Sequence, residues 1–220
     1  MRSFTSLFLR DLRLAWRGNG AALAVGFFFI AVALVPFGIG PDLNMLQKIA
    51  PGLVWVSLVL AVLLSLEQMF QADIEDGSFD QFMLAGTPLE MLAMAKGLAH
   101  WVGTVLPLVL LAPLAGLLLN IHPDSLFLML ITLLAGSPAM SFLGMMGSAL
   151  SAGVARGGLL AALIVMPLYV PVLIFGSSAL SLALAGDFDP SALAVLVLLG
   201  LASLCLGPVV AAAGLRTVLR

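Results

Sequence analysis

Charge is what this 220-residue sequence has least of. Nine Lys and Arg and eleven Asp and Glu make up 9% of the chain, where a soluble domain carries roughly 25%. A water-facing surface cannot be built from that list, which excludes soluble enzymes and soluble binding modules, and no nucleic-acid partner is expected. The single cysteine, Cys205, excludes an internal disulfide, a CxxC pair and a zinc motif within the chain. Set in an apolar run, it reads as a small packed residue. The two histidines, His100 and His122, fall near opposite ends of one apolar stretch and cannot close on one metal ion. No GxxxxGK[ST] string occurs, so a P-loop for ATP is absent, and no catalytic set is expected in this chain. The first twenty residues, MRSFTSLFLRDLRLAWRGNG, have no small-residue cleavage site after a short apolar core, which predicts no cleavable signal peptide. Without repeats or low-complexity linkers, residues 1–220 read as one domain.

What is present is apolar: 62% of residues are hydrophobic, and the mean hydropathy is +1.21. That is an integral membrane protein, and because a span needs about 20 apolar residues, six segments qualify. They run over residues 21–37, 51–70, 97–119, 126–151, 158–184 and 192–215. The fold expected is all-α and polytopic, with six transmembrane helices joined by short turns. The amino terminus is predicted to be an interfacial helix. Phe4, Leu7, Phe8, Leu12 and Ala15 share one face for the acyl boundary, and Arg10, Arg13 and Arg17 turn to the headgroups.

Lysine and arginine set the orientation. With the amino terminus inside, Arg2, Arg10, Arg13, Arg17, Lys96, Arg156, Arg216 and Arg220 fall on the inner side and Lys48 alone on the outer. That bias predicts both termini in the cytoplasm.

One stretch breaks the apolar pattern. Between Glu67 and Lys96 stand six of the eleven acids, Glu67, Asp73, Glu75, Asp76, Asp80 and Glu90, interleaved with Phe79, Phe82, Met83 and Leu84. A linker has no need of those apolar residues. Residues 71–96 read as a loop of one or two short amphipathic helices against the membrane face, available to a partner. Thr87-Pro88-Leu89-Glu90 marks a fresh helix start with Thr87 as cap. The expected docking set is Asp73, Glu75, Asp76, Gly77, Phe79, Asp80, Phe82 and Met83: Phe79, Phe82 and Met83 anchor, the acids form a polar rim, and Gly77 supplies the turn.

Inside the spans, Pro167 and Pro171 flank Tyr169 and predict a bent or broken fifth helix. Ser137, Ser141, Gly144 and Ser148 lie at helical spacing in the fourth span and allow close helix approach. Glu67 is the only clear acid within a span, near its inner end, so buried ionisable groups for proton coupling are not expected. His100 and Trp101 read as residues of an interfacial belt, and His122-Pro123 as an exposed turn. Glu67, His100, Trp101, Pro167, Tyr169 and Pro171 are the candidates for the bundle interior or a substrate path.

Several strings resemble the cytochrome c maturation protein B (CcmB) family, the haem exporter permeases of ABC transporters. They are VPFGIGPD at 35–42, PGLVWVSLVLAVLLSLEQMFQADIEDGSFDQ at 51–81, AKGLAHW at 95–101, LPLVLLAPL at 106–114, LLAGSPAMS at 133–141 and MPLYVPVLIFG at 166–176. The likeness covers nearly the whole chain in order; one departure is Met166, where the family string has Leu, a conservative exchange. The resemblance implies a membrane permease subunit in the bacterial inner membrane, working as a homodimer with a separate CcmA-like ATPase that carries the ATP. It also implies CcmC-like and CcmD-like membrane partners and a link to a CcmE-like haem chaperone. Haem enters only through the resemblance, as the substrate exported or as the load of the chaperone released. The alternative is a non-transporting scaffold of a haem-handling complex.

Overall fold

In lipid, a lone apolar segment satisfies its backbone polar groups only as a helix, and the computed structural model follows that rule. It describes residues 2–40, 42–154, 157–187 and 189–218, and among them all regular structure is helical. Chain order gives α1 (Arg2–Arg17), α2 (Asn19–Ile39), α3 (Leu43–Leu66), α4 (Gln68–Glu75), α5 (Ser78–Leu84) and α6 (Leu89–His100). A single π-helical turn, Trp101–Val105, then leads into α7 (Leu106–Leu118), followed by α8 (Pro123–Leu150), α9 (Gly157–Leu184) and α10 (Pro190–Val218).

Six stretches are long and apolar enough to cross a membrane: Gly20–Ile39, Leu43–Glu75, Leu89–Leu118, Pro123–Leu150, Gly157–Leu184 and Pro190–Thr217. The chain is an all-α polytopic membrane protein. Each stretch overlaps one expected segment, but three boundaries move by five residues or more, the second span starting at Leu43 rather than at residue 51. The second span continues through α4, and the third starts at Leu89, eight residues before the expected boundary. The reason is packing: Leu89, Leu92, Ala93 and Ala95 are buried, so the helix carries on through charged neighbours that an apolar window rejects. Thr87 does not cap that helix. Pro88 holds the cap position without a side-chain bond, and its carbonyl accepts from the N–H groups of Met91 and Leu92 at 3.1 Å each. At other turns carboxylates do cap: Asp42 Oδ1 accepts from the N–H groups of Asn44 and Met45 at 3.1 and 3.0 Å.

Helix α8 is the centre of the bundle, packed on α3, α7, α9 and α10. Its small residues allow the close approach their spacing predicts. A Cβ at Gly144 would lie 2.6 Å from Leu66 Cδ2 and 2.8 Å from the Tyr169 hydroxyl. That hydroxyl donates to the Met140 carbonyl at 2.6 Å, and Ser148 Oγ donates to the Leu66 carbonyl at 3.0 Å. The fifth span is not broken. Helix α9 is continuous, with Pro167 and Pro171 exposed while Val165, Tyr169, Val172 and Gly176 hold its inner face on the bundle.

A second apolar cluster closes one end of the bundle, joining Leu7 of α1, Phe70 of α4, Phe79 of α5, Leu92 of α6, Met145 of α8 and Leu215 of α10. Arg10, Arg13, Arg17, Lys96 and Arg216 belong to that end, while Lys48 sits in the first turns of α3 at the other. Arg156 and Arg220 lie outside the described residues, as does the side chain of Arg2.

Candidate functional site

The polar stretch forms a corner on that closed end. Helix α4 stops at Glu75, Gly77 takes a left-handed conformation (φ 74°), and α5 leaves in a new direction; this is a position where a side chain would strain the backbone. Asp76 Oδ1 accepts from the Ser78 N–H at 2.8 Å. Hydrogen bonds from the Ser78 hydroxyl and N–H hold the Asp76 carboxyl below the usual carboxylate range. The inner side of α5 is sealed, with Phe79 buried among Phe70, Leu89 and Leu92. Phe82 is half-buried beneath the Arg10 guanidinium, 4.7 Å from the ring centroid. The outer side is open: Glu75, Asp76, Asp80 and Gln81 are exposed, with Met83 43% and Leu84 89% exposed. Two members of the expected docking set are therefore corrected. Phe79 faces inward because α5 needs an apolar anchor to the bundle. Asp73 is only 3% exposed because it serves an internal ion cluster.

That cluster joins α1, α4 and α6. Arg10 reaches Asp73 Oδ1 with Nη2 at 2.7 Å and Asp11 Oδ1 with Nε at 2.8 Å. Lys96 Nζ stands 3.3 Å from Asp11 Oδ2 and pairs closely with Asp73 Oδ2. It also lies 5.6 Å from the Phe70 ring centroid. Asp11, Asp73 and Lys96 are all buried, so the expectation of no buried ionisable groups is overturned. Two cations and two carboxylates alternate, which is how charge survives away from water. Helix α1 is corrected too. Leu7 and Asp11 are buried, and a Cβ at Gly103 would come within 2.8 Å of the Ala15 Cβ. Its inner face thus packs on protein, while Leu9, Leu14 and Trp16 are exposed.

His100 is likewise no belt residue. Buried on α6, it bridges two helices: Nε2 lies 2.8 Å from Ser65 Oγ and Nδ1 2.9 Å from Ser141 Oγ. With both ring nitrogens engaged, it has none free for a ligand. Trp101 Nε1 donates to Ser137 Oγ at 3.0 Å. The π turn follows at once, with the Leu106 N–H reaching the Trp101 carbonyl. Pro107 has no N–H to give and crowds the preceding turn, and the wider π turn accommodates it. Glu67 is exposed at the α3–α4 junction, where a Cβ at Gly158 would meet its side chain at 2.7 Å. Among the described residues no group of three or more His, Cys, Asp or Glu is arranged to hold a metal ion.

Between α1 and the bundle lies a cavity of about 290 Å³, walled on its polar side by Asp11, Ser65, Asp73, Lys96, His100 and Thr104. Asp76 lines it as well, and of this polar lining Asp73, Asp76 and His100 stood among the site residues expected from sequence. The missed ones carried a signal: Asp11 falls four residues from both Leu7 and Ala15, on the apolar face of α1. Lys96 falls four from Leu92 and from His100, in the buried stripe of α6.

The family described as CcmB protein matches residues 2–218. Heme exporter protein B of Paracoccus denitrificans is 49% identical over 216 residues, 98% of this chain and 99% of its own. Proteins of the same name from Bradyrhizobium diazoefficiens and Escherichia coli K12 are 45% and 41% identical, over 218 and 214 residues. The first alignment covers 98% of both chains and the second 97% of both. With family strings, helix count and full-length similarity in agreement, this chain belongs to the CcmB family.

Proposed function

We propose that this protein is the membrane permease subunit of an ATP-driven transporter of the bacterial inner membrane, serving haem handling in c-type cytochrome assembly. A separate P-loop ATPase docks on the α4–α5 corner. The observation that supports this reading is the two-sided build of α5. Phe79 seats the helix in the bundle, while Met83 and Leu84 project outward beside the carboxylates of Glu75, Asp76 and Asp80. Apolar anchors inside a charged rim form a docking surface whose affinity rests on the anchors, with the rim tuning encounter. The corner is also wired inward. Gln71 donates to Glu75 Oε1 at 2.9 Å and accepts from the Gly153 N–H at 3.3 Å, so a push on α4 reaches the turn after α8.

The names of the relatives supply haem as cargo; export of haem and release of a haem-loaded chaperone of CcmE type are the two outcomes the stroke would drive. CcmC-like and CcmD-like membrane proteins complete the assembly. A transporter of two permease halves needs a second copy of this six-span chain, and the first and fifth spans leave most surface free for one.

The test is co-purification with the CcmA-like ATPase. Met83→Ala with Leu84→Ala is expected to lower ATPase recovery about tenfold while membrane levels hold, and Asp80→Lys should weaken it less and in a salt-dependent way. Native mass spectrometry of the same material should show two copies of this chain per two ATPases. Unchanged recovery in the double variant would reduce the corner to a solvated turn.

Orientation has its own check. In a Cys205→Ala background, a membrane-impermeant thiol reagent applied to intact cells with permeable outer membranes should label Ser125→Cys and spare Gln81→Cys, since the basic ends face the cytoplasm. Reversed labelling would overturn both the topology and the docking assignment.

A further inference from the structure

The three helices that share the ion cluster have a second feature in common: each meets its span at a joint. Between α1 and α2 stands Gly18, whose extended backbone (φ −79°, ψ 159°) belongs to neither helix. Between α3 and α4 the helix is interrupted at Glu67, and beside it the Leu66 carbonyl accepts from the Ser148 hydroxyl at 3.0 Å. A side chain set into the helical ladder is a cause of bending. Between α6 and α7 lies the π turn, Trp101–Val105, with Pro107 just beyond it and no N–H there for the ladder. Single π turns inside helices concentrate at functional sites.

On the inner side of the joints the helices are tied to one another. Asp73 of α4 pairs with Arg10 of α1 and Lys96 of α6, and Lys96 also faces Asp11 of α1. Phe79 seats α5 on the same group among Phe70, Leu89 and Leu92. Ties from this group to α8 and α10 are softer. Gly97 faces the side chains of Phe142 and Met145, and a methionine adapts to a displaced neighbour. Glu90 meets Arg216 of α10 in a pair exposed on both sides. All three joints also border one space: Gly18 and Gly20, Ser65 and Met69, and His100 and Thr104 line the cavity of about 290 Å³. A close-packed interior resists the displacement of one helix against another, and a cavity at the joints leaves room to turn.

We infer that α1, α4 and α6, with α5 seated on them, form one unit that turns about these three joints relative to the spans. What drives the turn rests on the docking reading, with the ATPase bound at the α4–α5 corner. The ion cluster makes the unit single, so a push delivered to α4 bends the chain at Gly18 and in the π turn as well. Hinges of this kind need only a few residues at element ends.

Hydrogen exchange of the full-length protein in phospholipid nanodiscs, read by mass spectrometry, reports on each joint separately. Lys96→Met with Asp73→Asn unties the unit and keeps the cluster neutral, because Arg10 and Asp11 both belong to α1. In the protein alone, this double variant should exchange about tenfold faster than the parent at 18–21 and 101–106, since each joint then fluctuates free of the others. Exchange within α9, which the cluster does not touch, is the reference for general loosening. With the CcmA-like ATPase bound and trapped by ATP and vanadate, the parent should change its exchange at 18–21, 66–70 and 101–106 together. In the double variant only 66–70, next to the corner, should still respond. Arg216→Met, which removes the exposed pair, should follow the parent in both arms. Equal rates in parent and double variant without ATPase overturn the unit, as does an acceleration that α9 shares in full. A parent response confined to 66–70, or a double variant that keeps all three responses, overturns it too. Failure of the ATPase to bind counts instead against the docking surface, and the arm without ATPase still decides the unit.

Discussion

Lys96→Met is expected to be the most damaging single substitution at the closed end of the bundle. It keeps the length of the side chain and removes the ammonium that stands between Asp11 and Asp73. Those two carboxylates are 8% and 3% exposed, so water cannot take over for the missing charge. Removing one partner of a buried ion cluster costs about 3–5 kcal/mol, a large fraction of a total stability of about 5–15 kcal/mol. The observable is the thermal midpoint of the detergent-solubilised protein, followed by size exclusion after heating. A control separates burial from mere pairing. Arg216→Met breaks the pair between Arg216 and Glu90, in which both side chains are substantially exposed, and such pairs contribute about 0–1 kcal/mol. Restoring neutrality should recover part of the loss, since Lys96→Met with Asp73→Asn leaves Arg10 and Asp11 as a balanced pair. A Lys96→Met protein that melts like the parent would mean the cluster is solvated and holds nothing.

Why that cluster escaped a reading of the sequence is a matter of how spans are found. A window of apolar residues is a sum, and helices α2, α3, α7, α8, α9 and α10 satisfy it outright, so six crossings were legible. The same sum penalises charge, so it ended the second span near Phe70 and began the third near Gly97, cutting off the segments that carry Asp73 and Lys96. Periodicity would have kept them. Asp73 stands three, four and seven residues after Phe70, Met69 and Leu66, all on one buried or half-buried face. Partner choice was beyond reach either way. Arg10 meets Asp73 across 63 positions, and no local rule pairs residues so far apart. His100 shows the same limit: beside Trp101 and Lys96 it has the company of an interfacial residue, and only the arrival of Ser65 and Ser141 from two other helices makes it internal. Pro167 and Pro171 do not break α9, because a proline on the outward side of a well-anchored helix need not interrupt it.

Gly176→Ala is expected to lower the thermal midpoint, against its intrinsic helix propensity. Alanine gains about 1 kcal/mol over glycine in a helix interior, and if nothing opposed it the substitution would stabilise α9. Trp55 opposes it. Its indole is fully buried, set between Gly176 of α9 and Gly136 of α8. A Cβ at 176 would lie 2.5 Å from Trp55 Cε2 and Cζ2, and one at 136 would lie 2.6 Å from Cη2. Both glycines touch the rigid ring system, so relief from one side presses it against the other. Overpacking of this kind costs about 1–3 kcal/mol and occasionally more, which outweighs the propensity gain. The indole N–H meets no acceptor among the described residues, so shape holds Trp55 where it is. Coupling between the sites gives the decisive readout. Trp55→Leu alone should destabilise by opening a cavity, yet in the Gly176→Ala background it should do much less harm, because the smaller side chain makes room for the new methyl group. A double-mutant cycle with a favourable interaction between the two substitutions is therefore expected. A Gly176→Ala protein more stable than the parent, with additive behaviour in the double variant, would show that α3 can slide away from α9 at no cost and that the two-glycine slot does not fix how these spans pack.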